Sequence, residues 1–129
     1  MSPGDFLGKA DTAVRSAQVL LEAGDPDGAC NRAYYAMFDA ARAALLVSAA
    51  PVHAEVARTH SGLIAAFGLH LVKSGQLEAE LGRALNRAQQ VRMVADYTGD
   101  PVDVQTARDV IEQAVDFVSR IQRFSAQGS

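Results

Sequence analysis

The spacing of apolar residues is the feature of this 129-residue sequence that most constrains its fold. In the C-terminal segment, intervals of three and four residues separate Val104, Ala107, Ile111, Ala114, Val118 and Ile121. This spacing places all six side chains on one face of an α-helix that can pack along an antiparallel neighbour. The alternating Val and Ile runs that are typical of β-strands are missing. The pattern therefore predicts an all-α protein.

Proline and glycine residues divide the chain into five predicted helices. The first begins with Asp5 as its N-cap and ends at Gly24. The other four cover residues 27–48, 61–73, 77–97 and 102–124. Residues 50–59 are predicted to form a loop with one helical turn at 54–58. Because the connections are short, we expect an up-and-down helical bundle.

Domain organisation and location follow from length and composition. No linker divides the chain, so we expect one domain over residues 5–124 and a frayed tail over residues 125–129. The N-terminal residues lack the basic region and apolar core of a signal peptide, and the apolar runs are far shorter than the roughly 20 residues that span a bilayer. We therefore expect a cytoplasmic protein without a membrane segment.

Charge and cysteine content exclude several classes of protein. The net charge of −3 argues against a protein that coats nucleic acid through a broad basic surface, although it allows a local RNA site. The single cysteine, Cys30, excludes an internal disulfide and a metal site built from cysteines. Histidines at metal-ligand spacing and glycine-rich phosphate loops are both missing from the sequence, so we expect neither a metal nor a cofactor.

Polar side chains interrupt the apolar stripe of the second predicted helix. Asn31, Tyr35, Phe38 and Arg42 share a narrow face at 100° per residue. An amide and a guanidinium therefore lie where apolar groups are expected. Either they serve a binding site, or Asn31 bonds a neighbouring helix end or loop while Arg42 extends its charged end to solvent.

The fourth predicted helix carries a second polar interruption. Arg92 and Asp96 are four residues apart and share one face. They form either a half-buried ion pair that fixes helix register or a cationic site for a phosphate, in which Asp96 orients the guanidinium. His60 stands where the third helix should begin, and a histidine there is either structural or part of a site.

Three blocks of the sequence resemble one known family. Residues 24–38 read GDPDGACNRAYYAMF, residues 59–63 read THSGL, and Arg92 is followed by Ala95-Asp96-Tyr97. In this order, and over residues 5–124, they resemble the small stand-alone prokaryotic HEPN-domain proteins. The resemblance implies an α-helical bundle, a homodimer, and pairing with a minimal nucleotidyltransferase of the MNT type that acts as antitoxin.

The resemblance also implies a chemistry, from which this sequence departs. Many HEPN proteins are metal-independent ribonucleases in which an arginine holds the phosphate and a histidine follows after four to six residues. Arg92 matches that arginine, but Tyr97, Thr98 and Gly99 stand where the histidine would be. Activation of the RNA 2′-hydroxyl then depends on Asp96 or on His60, or it is lost. Loss of a general base typically costs about 10²–10⁴ in rate.

The first functional hypothesis is a HEPN-type toxin component that binds RNA or a nucleotide in a cleft formed around Arg92, Asp96 and Asn31. Weak metal-independent endoribonuclease activity would depend on Arg92 and Asp96 as candidate catalytic residues. The candidate substrate-binding residues are Asn31, Tyr34, Tyr35 and His60.

Two other hypotheses remain open. The alternative is a non-catalytic helical module that binds the nucleotidyltransferase, and Tyr97 is the candidate for adenylylation by that partner. A third interpretation is a plain scaffold in which the buried polar groups only fix helix register. It predicts that Arg92→Met is neutral or stabilising.

Overall fold

The computed structural model describes residues 1–127, and in this range every regular element is helical. Six α-helices and a short π-helical segment follow one another along the chain. Their bounds are α1 Pro3–Glu22, α2 Pro26–Ser48, α3 Ala54–Arg58, α4 His60–Phe67, the π-helical segment Gly68–Val72, α5 Ala79–Thr98 and α6 Val104–Gln127. The predicted all-α bundle is confirmed, and the helical turn expected at residues 54–58 is α3.

The first helix begins earlier than the sequence pattern predicts. Ser2, not Asp5, is the N-cap of α1, because its hydroxyl oxygen accepts a hydrogen bond from the Asp5 backbone N–H at 3.1 Å. The Asp5 carboxylate accepts in return from the Ser2 backbone N–H at 2.9 Å, which completes a capping box. Pro3 suits the first helical position, where no backbone N–H donor is needed.

The other helix boundaries shift from the sequence prediction by at most two residues, and the ends of the third and the last predicted helix differ more. The third predicted helix, residues 61–73, is α-helical only to Phe67 and then widens into the π-helical segment. The last helix continues through Gln127, so residues 125–127 are helical although the sequence assigned them to the tail. Residues 128 and 129 of that tail lie outside the described residues. Across residues 1–127 no helix combines the length and the apolar character needed to cross a membrane.

Helix α2 is the central element of the bundle and packs against α1, α4, α5 and α6. Small residues line its contact with α1, where Ala10, Ala13 and Ala17 are fully buried. Such side chains let two helix axes approach closely. Elsewhere in the core, the buried rings of Phe67 and Phe117 pack with centroids 5.5 Å apart.

A long-range hydrogen bond fixes the connection between α5 and α6 against the start of α2. The backbone N–H of Val102 donates to a carboxylate oxygen of Asp27 at 2.6 Å, across 75 residues of sequence. This bond ties the chain just beyond the C-terminal end of α5 to the first turn of α2. It thereby helps to hold the second half of α5 beside the tyrosines of α2.

Candidate functional site

An aromatic cluster forms where α2, α4 and α5 meet. Tyr34, Tyr35 and Phe38 come from consecutive turns of α2, and His60 is the first residue of α4. The ring of His60 lies 5.5 Å from Tyr34, 5.8 Å from Tyr35 and 5.0 Å from Phe38, measured between centroids. Tyr34 is fully buried, whereas Tyr35 and His60 are half-buried. The cluster therefore presents only part of its surface to a ligand.

The start of α4 positions His60. Thr59 is the N-cap, and its hydroxyl oxygen accepts a hydrogen bond from the Gly62 backbone N–H at 3.0 Å. This is the cap geometry expected of a threonine before a helix. It confirms the prediction that a helix begins at His60 and fixes the backbone from which the imidazole projects.

The guanidinium of Arg92 packs onto this cluster from α5. Its Cζ lies 5.0 Å from the ring centroid of Tyr34 and 6.0 Å from that of Tyr35. Nη1 lies 3.5 Å from the Asp96 carboxylate. Only 16% of the Arg92 side chain is exposed, against 60% for Asp96. The expected pair thus forms, with the cation half-buried and the carboxylate at the surface.

Gln89 is a partner of Arg92 that sequence reasoning missed. Its side-chain oxygen accepts hydrogen bonds from Nε and Nη2 of Arg92 at 3.3 and 3.1 Å. The spacing of three residues on one helix was the available signal, because side chains at that interval are neighbours. Gln89 and Asp96 together fix the plane of the guanidinium above the tyrosine rings.

A hydrogen bond of 2.7 Å joins the Tyr34 hydroxyl to Nδ1 of His60. The buried hydroxyl makes no other hydrogen bond in residues 1–127, so its proton is satisfied only if the phenol donates. Nδ1 is then the acceptor, and the proton of the neutral ring resides on Nε2. His60 therefore offers a ligand an N–H donor and does not offer it a free basic nitrogen.

The electrostatics agree with this assignment. Burial, together with the nearby positive charge of Arg92, lowers the pKa of His60 below its ordinary value. Burial raises the pKa of Tyr34 strongly, although Arg92 opposes that change. At neutral pH the pair is thus a protonated phenol beside a neutral imidazole.

The remaining predicted site residues stand apart from this contact network. Asn31 is half-buried, and its amide makes no hydrogen bond in the part of the chain described, so a structural bond to a neighbouring helix is not observed. It lies one helical turn before Tyr35. Tyr97 is 84% exposed and takes no part in the ring contacts of the aromatic cluster.

The possible metal ligands and the single thiol are the remaining groups with chemistry of their own in residues 1–127. No group of three His, Cys, Asp or Glu side chains there could hold a metal ion. Cys30 is buried, and burial together with the charges of Asp27 and Asp103 raises its pKa to about 11. A thiol with this pKa stays protonated at neutral pH and is a poor nucleophile.

Comparison with known proteins gives the family. The sequence profile of the HEPN domain matches residues 4–125. The chain belongs to the HEPN family. Within this HEPN protein, the guanidinium of Arg92 and the imidazole of His60 lie against the same two tyrosine rings, those of Tyr34 and Tyr35.

Three proteins from other organisms are similar to this chain over most of its length. A UPF0332 protein of Gloeobacter violaceus is 34% identical over 125 residues, which is 95% of either chain. The protein named "Putative toxin MJ0605" of Methanocaldococcus jannaschii is 34% identical over 88% of this chain and 81% of its own. A UPF0332 protein of Thermotoga maritima is 32% identical over 89% of this chain and 84% of its own.

Proposed function

We propose that this HEPN protein is a toxin-type component that binds RNA or a nucleotide through a phosphate group at the Arg92 cleft. We define the Arg92 cleft by the candidate residues Arg92, Asp96, Tyr34, Tyr35 and His60, which contact one another, together with Asn31 one helical turn before Tyr35. The observation that carries the proposal is the guanidinium of Arg92, which is held by Gln89, stacked on Tyr34 and paired only at its edge with an exposed carboxylate.

The geometry suits recognition of a phosphate. A guanidinium with a fixed plane loses little freedom when it binds an oxyanion through two N–H groups. Only 16% of the Arg92 side chain is exposed, so its attraction for a phosphate is less screened than at an open surface. The Nε2–H of His60 supplies a neutral donor on the same cluster. Asp96 orients the guanidinium but competes with a phosphate for Nη1.

Cleavage of RNA by these groups would be slow. Asp96 would take the proton of a 2′-hydroxyl, the 2′-oxygen would attack phosphorus, and the 5′-oxygen would leave to give a 2′,3′-cyclic phosphate. The leaving oxygen needs a proton, and neutral His60 is a weak acid because its Nδ1 accepts from a buried phenol. We therefore expect binding with weak endoribonuclease activity, about 10²–10⁴ below that of a site with a histidine base.

The test measures binding and toxicity for Arg92→Met beside Arg108→Met. Both variants remove one positive charge, but Arg108 is an exposed residue of α6 outside the cleft. We expect Arg92→Met to weaken binding of a labelled single-stranded octaribonucleotide about tenfold or more and to abolish growth arrest on induction. Arg108→Met should do neither. Equal behaviour of the two variants contradicts the proposal.

Asp96→Asn separates binding from cleavage. If Asp96 competes with the phosphate and also acts as the base, the variant should bind RNA more tightly while losing RNA cleavage ends in total cellular RNA. Unchanged cleavage would show that Asp96 is not the base. The scaffold hypothesis expects no RNA binding by any form of the protein.

A second candidate function is a module that binds a nucleotidyltransferase, and the exposed face of α5 favours it. Met93, Val94 and Tyr97 are 39%, 59% and 84% exposed, and their spacing puts them on one helix face. An exposed apolar group of this kind suits a protein contact, either with that partner or with a second copy of the chain. Incubation with an MNT-type enzyme and ATP should add one adenylyl group to the wild type and none to Tyr97→Phe.

A further inference from the structure

Arg42 is a second half-buried guanidinium, and among residues 1–127 no carboxylate pairs with it. Its Cζ lies 4.8 Å from the ring centroid of Phe6 and 5.6 Å from that of Phe38. In the chain up to Gln127, no acceptor takes a hydrogen bond from it and no acid lies at ion-pair distance. Burial raises the pKa of Asp39, and the positive charge of Arg42 acts on that carboxylate at longer range to lower it. The N–H groups of Arg42 thus remain available to an anion.

Phe38 connects Arg42 to the Arg92 cleft. The centroid of the Phe38 ring lies 6.0 Å from that of Tyr34 and 5.0 Å from that of His60. A continuous series of contacts 5 to 6 Å long therefore leads from the Arg42 guanidinium through the Phe38 and Tyr34 rings to the Arg92 guanidinium. Along α2 the rise from Tyr35 to Arg42 is about 10 Å. The two guanidiniums lie against different rings of α2, Arg92 against Tyr34 and Arg42 against Phe38, and these ring centroids are 6.0 Å apart. Each guanidinium can therefore take a different phosphate of one chain.

A pocket of about 280 Å³ adjoins Arg42 and is lined mostly by apolar side chains. Phe6, Leu45, Val52 and Leu63 form part of its wall. Arg58 lines the same pocket and makes no ion pair in residues 1–127. An apolar space beside two cations suits a planar base whose phosphate stays at the mouth.

We infer that Arg42 and this pocket, the Arg42 pocket, bind a second nucleotide of a single-stranded RNA whose neighbouring phosphate is held at Arg92. The inference rests on the proposed function of the Arg92 cleft and names its substrate class. The ligand must then be longer than a mononucleotide, since one nucleotide can fill only one of the two subsites. A duplex is excluded because its bases are paired and cannot enter the pocket.

The experiment compares ligands of different length by fluorescence anisotropy. A labelled single-stranded octaribonucleotide is displaced by the unlabelled octamer, by the hairpin duplex of the same sequence, by the DNA octamer, or by a nucleoside 5′-monophosphate. The proteins are the wild type, Arg42→Met, Arg42→Lys and Arg92→Met, with Arg108→Met as the matched loss of one charge.

We expect Arg42→Met to weaken octamer binding about tenfold. The slope of log affinity against log salt concentration should fall by about one, the value expected for the loss of one phosphate contact. The affinity of this variant for the mononucleotide should fall less than its affinity for the octamer, because one nucleotide can still occupy the Arg92 cleft, and Arg108→Met should change neither ligand. Arg42→Lys keeps the charge but loses the planar fork, so it should show a partial loss. This variant also provides the test if circular dichroism shows that Arg42→Met does not fold.

The failure of each proposal has its own signature. If Arg92→Met loses both ligands while Arg42→Met retains both, the second subsite is overturned and the Arg92 cleft stands. Equal loss of octamer and mononucleotide in Arg42→Met also overturns it, because Arg42 would then belong to a single site. Equal binding of the duplex contradicts the assignment to single strands. If the wild type binds no ligand, the proposed function itself fails.

Discussion

The hydroxyl group of Tyr34 determines which nitrogen of His60 carries the proton. It is fully buried, and its hydrogen bond to Nδ1 spans 26 residues of sequence. Because an unpaired buried hydroxyl costs about 1–3 kcal/mol, the phenol donates and Nε2 keeps its hydrogen. His60, which the sequence offers as a candidate general base, is therefore a neutral donor in this arrangement.

Tyr34→Phe should release His60 from that arrangement. The ring packing is retained while the hydrogen bond is lost, so we expect about 1 kcal/mol less stability and a mixture of the two neutral His60 tautomers. Nitrogen-15 NMR of the histidine side chains measures the tautomer directly. A wild-type spectrum with the proton on Nδ1 would contradict the assignment. Tyr35→Phe is the matched control, because the Tyr35 hydroxyl makes no such bond.

At the scale of an element, the junction of α3 and α4 presents His60 to the cluster. Gly62 lies in the first turn of α4, where a Cβ atom would meet the backbone carbonyl oxygen of Val56 and the hydroxyl of Thr59 more closely than real contacts allow. The close approach of α3 to the first turn of α4 thus depends on a residue without a side chain.

Gly62→Ala should therefore destabilise the protein by about 1–3 kcal/mol, the usual cost of forced overpacking. It should also weaken RNA binding, because His60 shifts with the first turn of α4. Gly8→Ala is the control. Gly8 is an exposed residue of α1, and a Cβ atom built there has no other atom within 4 Å. That variant should gain about 0.5–1 kcal/mol. Urea denaturation gives both values, and a Gly62→Ala protein as stable as the wild type would refute the expectation.

At the scale of the whole molecule, the lowered pKa of His60 couples folding to pH. Below the ordinary histidine pKa of about 6.5, the unfolded chain binds a proton that the folded chain resists. This contribution to stability is present above that pH and is lost as the pH falls below it. It arises because burial and Arg92 both disfavour the imidazolium.

The expected result is a lower free energy of unfolding at pH 6.0 than at pH 7.5. His60→Asn should show a smaller difference between the two pH values, while Tyr34 remains in place. Urea denaturation at both pH values measures this, and an equal pH dependence in the two proteins would rule out His60 as its source. Subtracting the pH dependence of His60→Asn from that of the wild type removes the contributions of groups present in both proteins, such as Asp39, whose pKa burial raises.

Local sequence patterns determined the helical content and the helix order of this HEPN protein. Periodic apolar residues, prolines and glycines act over a few residues, so the short α3 and the helix start at His60 were predictable. The cap of α1 was misplaced because Ser2 and Asp5 both suit a cap, and only the observed capping box decides between them. The spacing of the apolar residues likewise did not predict the point at which α4 widens into the π-helical segment.

The candidate site depended on contacts that no local pattern encodes. Spacing on one helix predicted the Arg92–Asp96 pair and could have revealed Gln89. The hydrogen bond of Tyr34 to His60 and the stacking of Arg42 against Phe6 join residues far apart in sequence. Such contacts depend on how helices rotate about their axes and where they cross. That is settled by packing of the whole core, which only the tertiary structure provides.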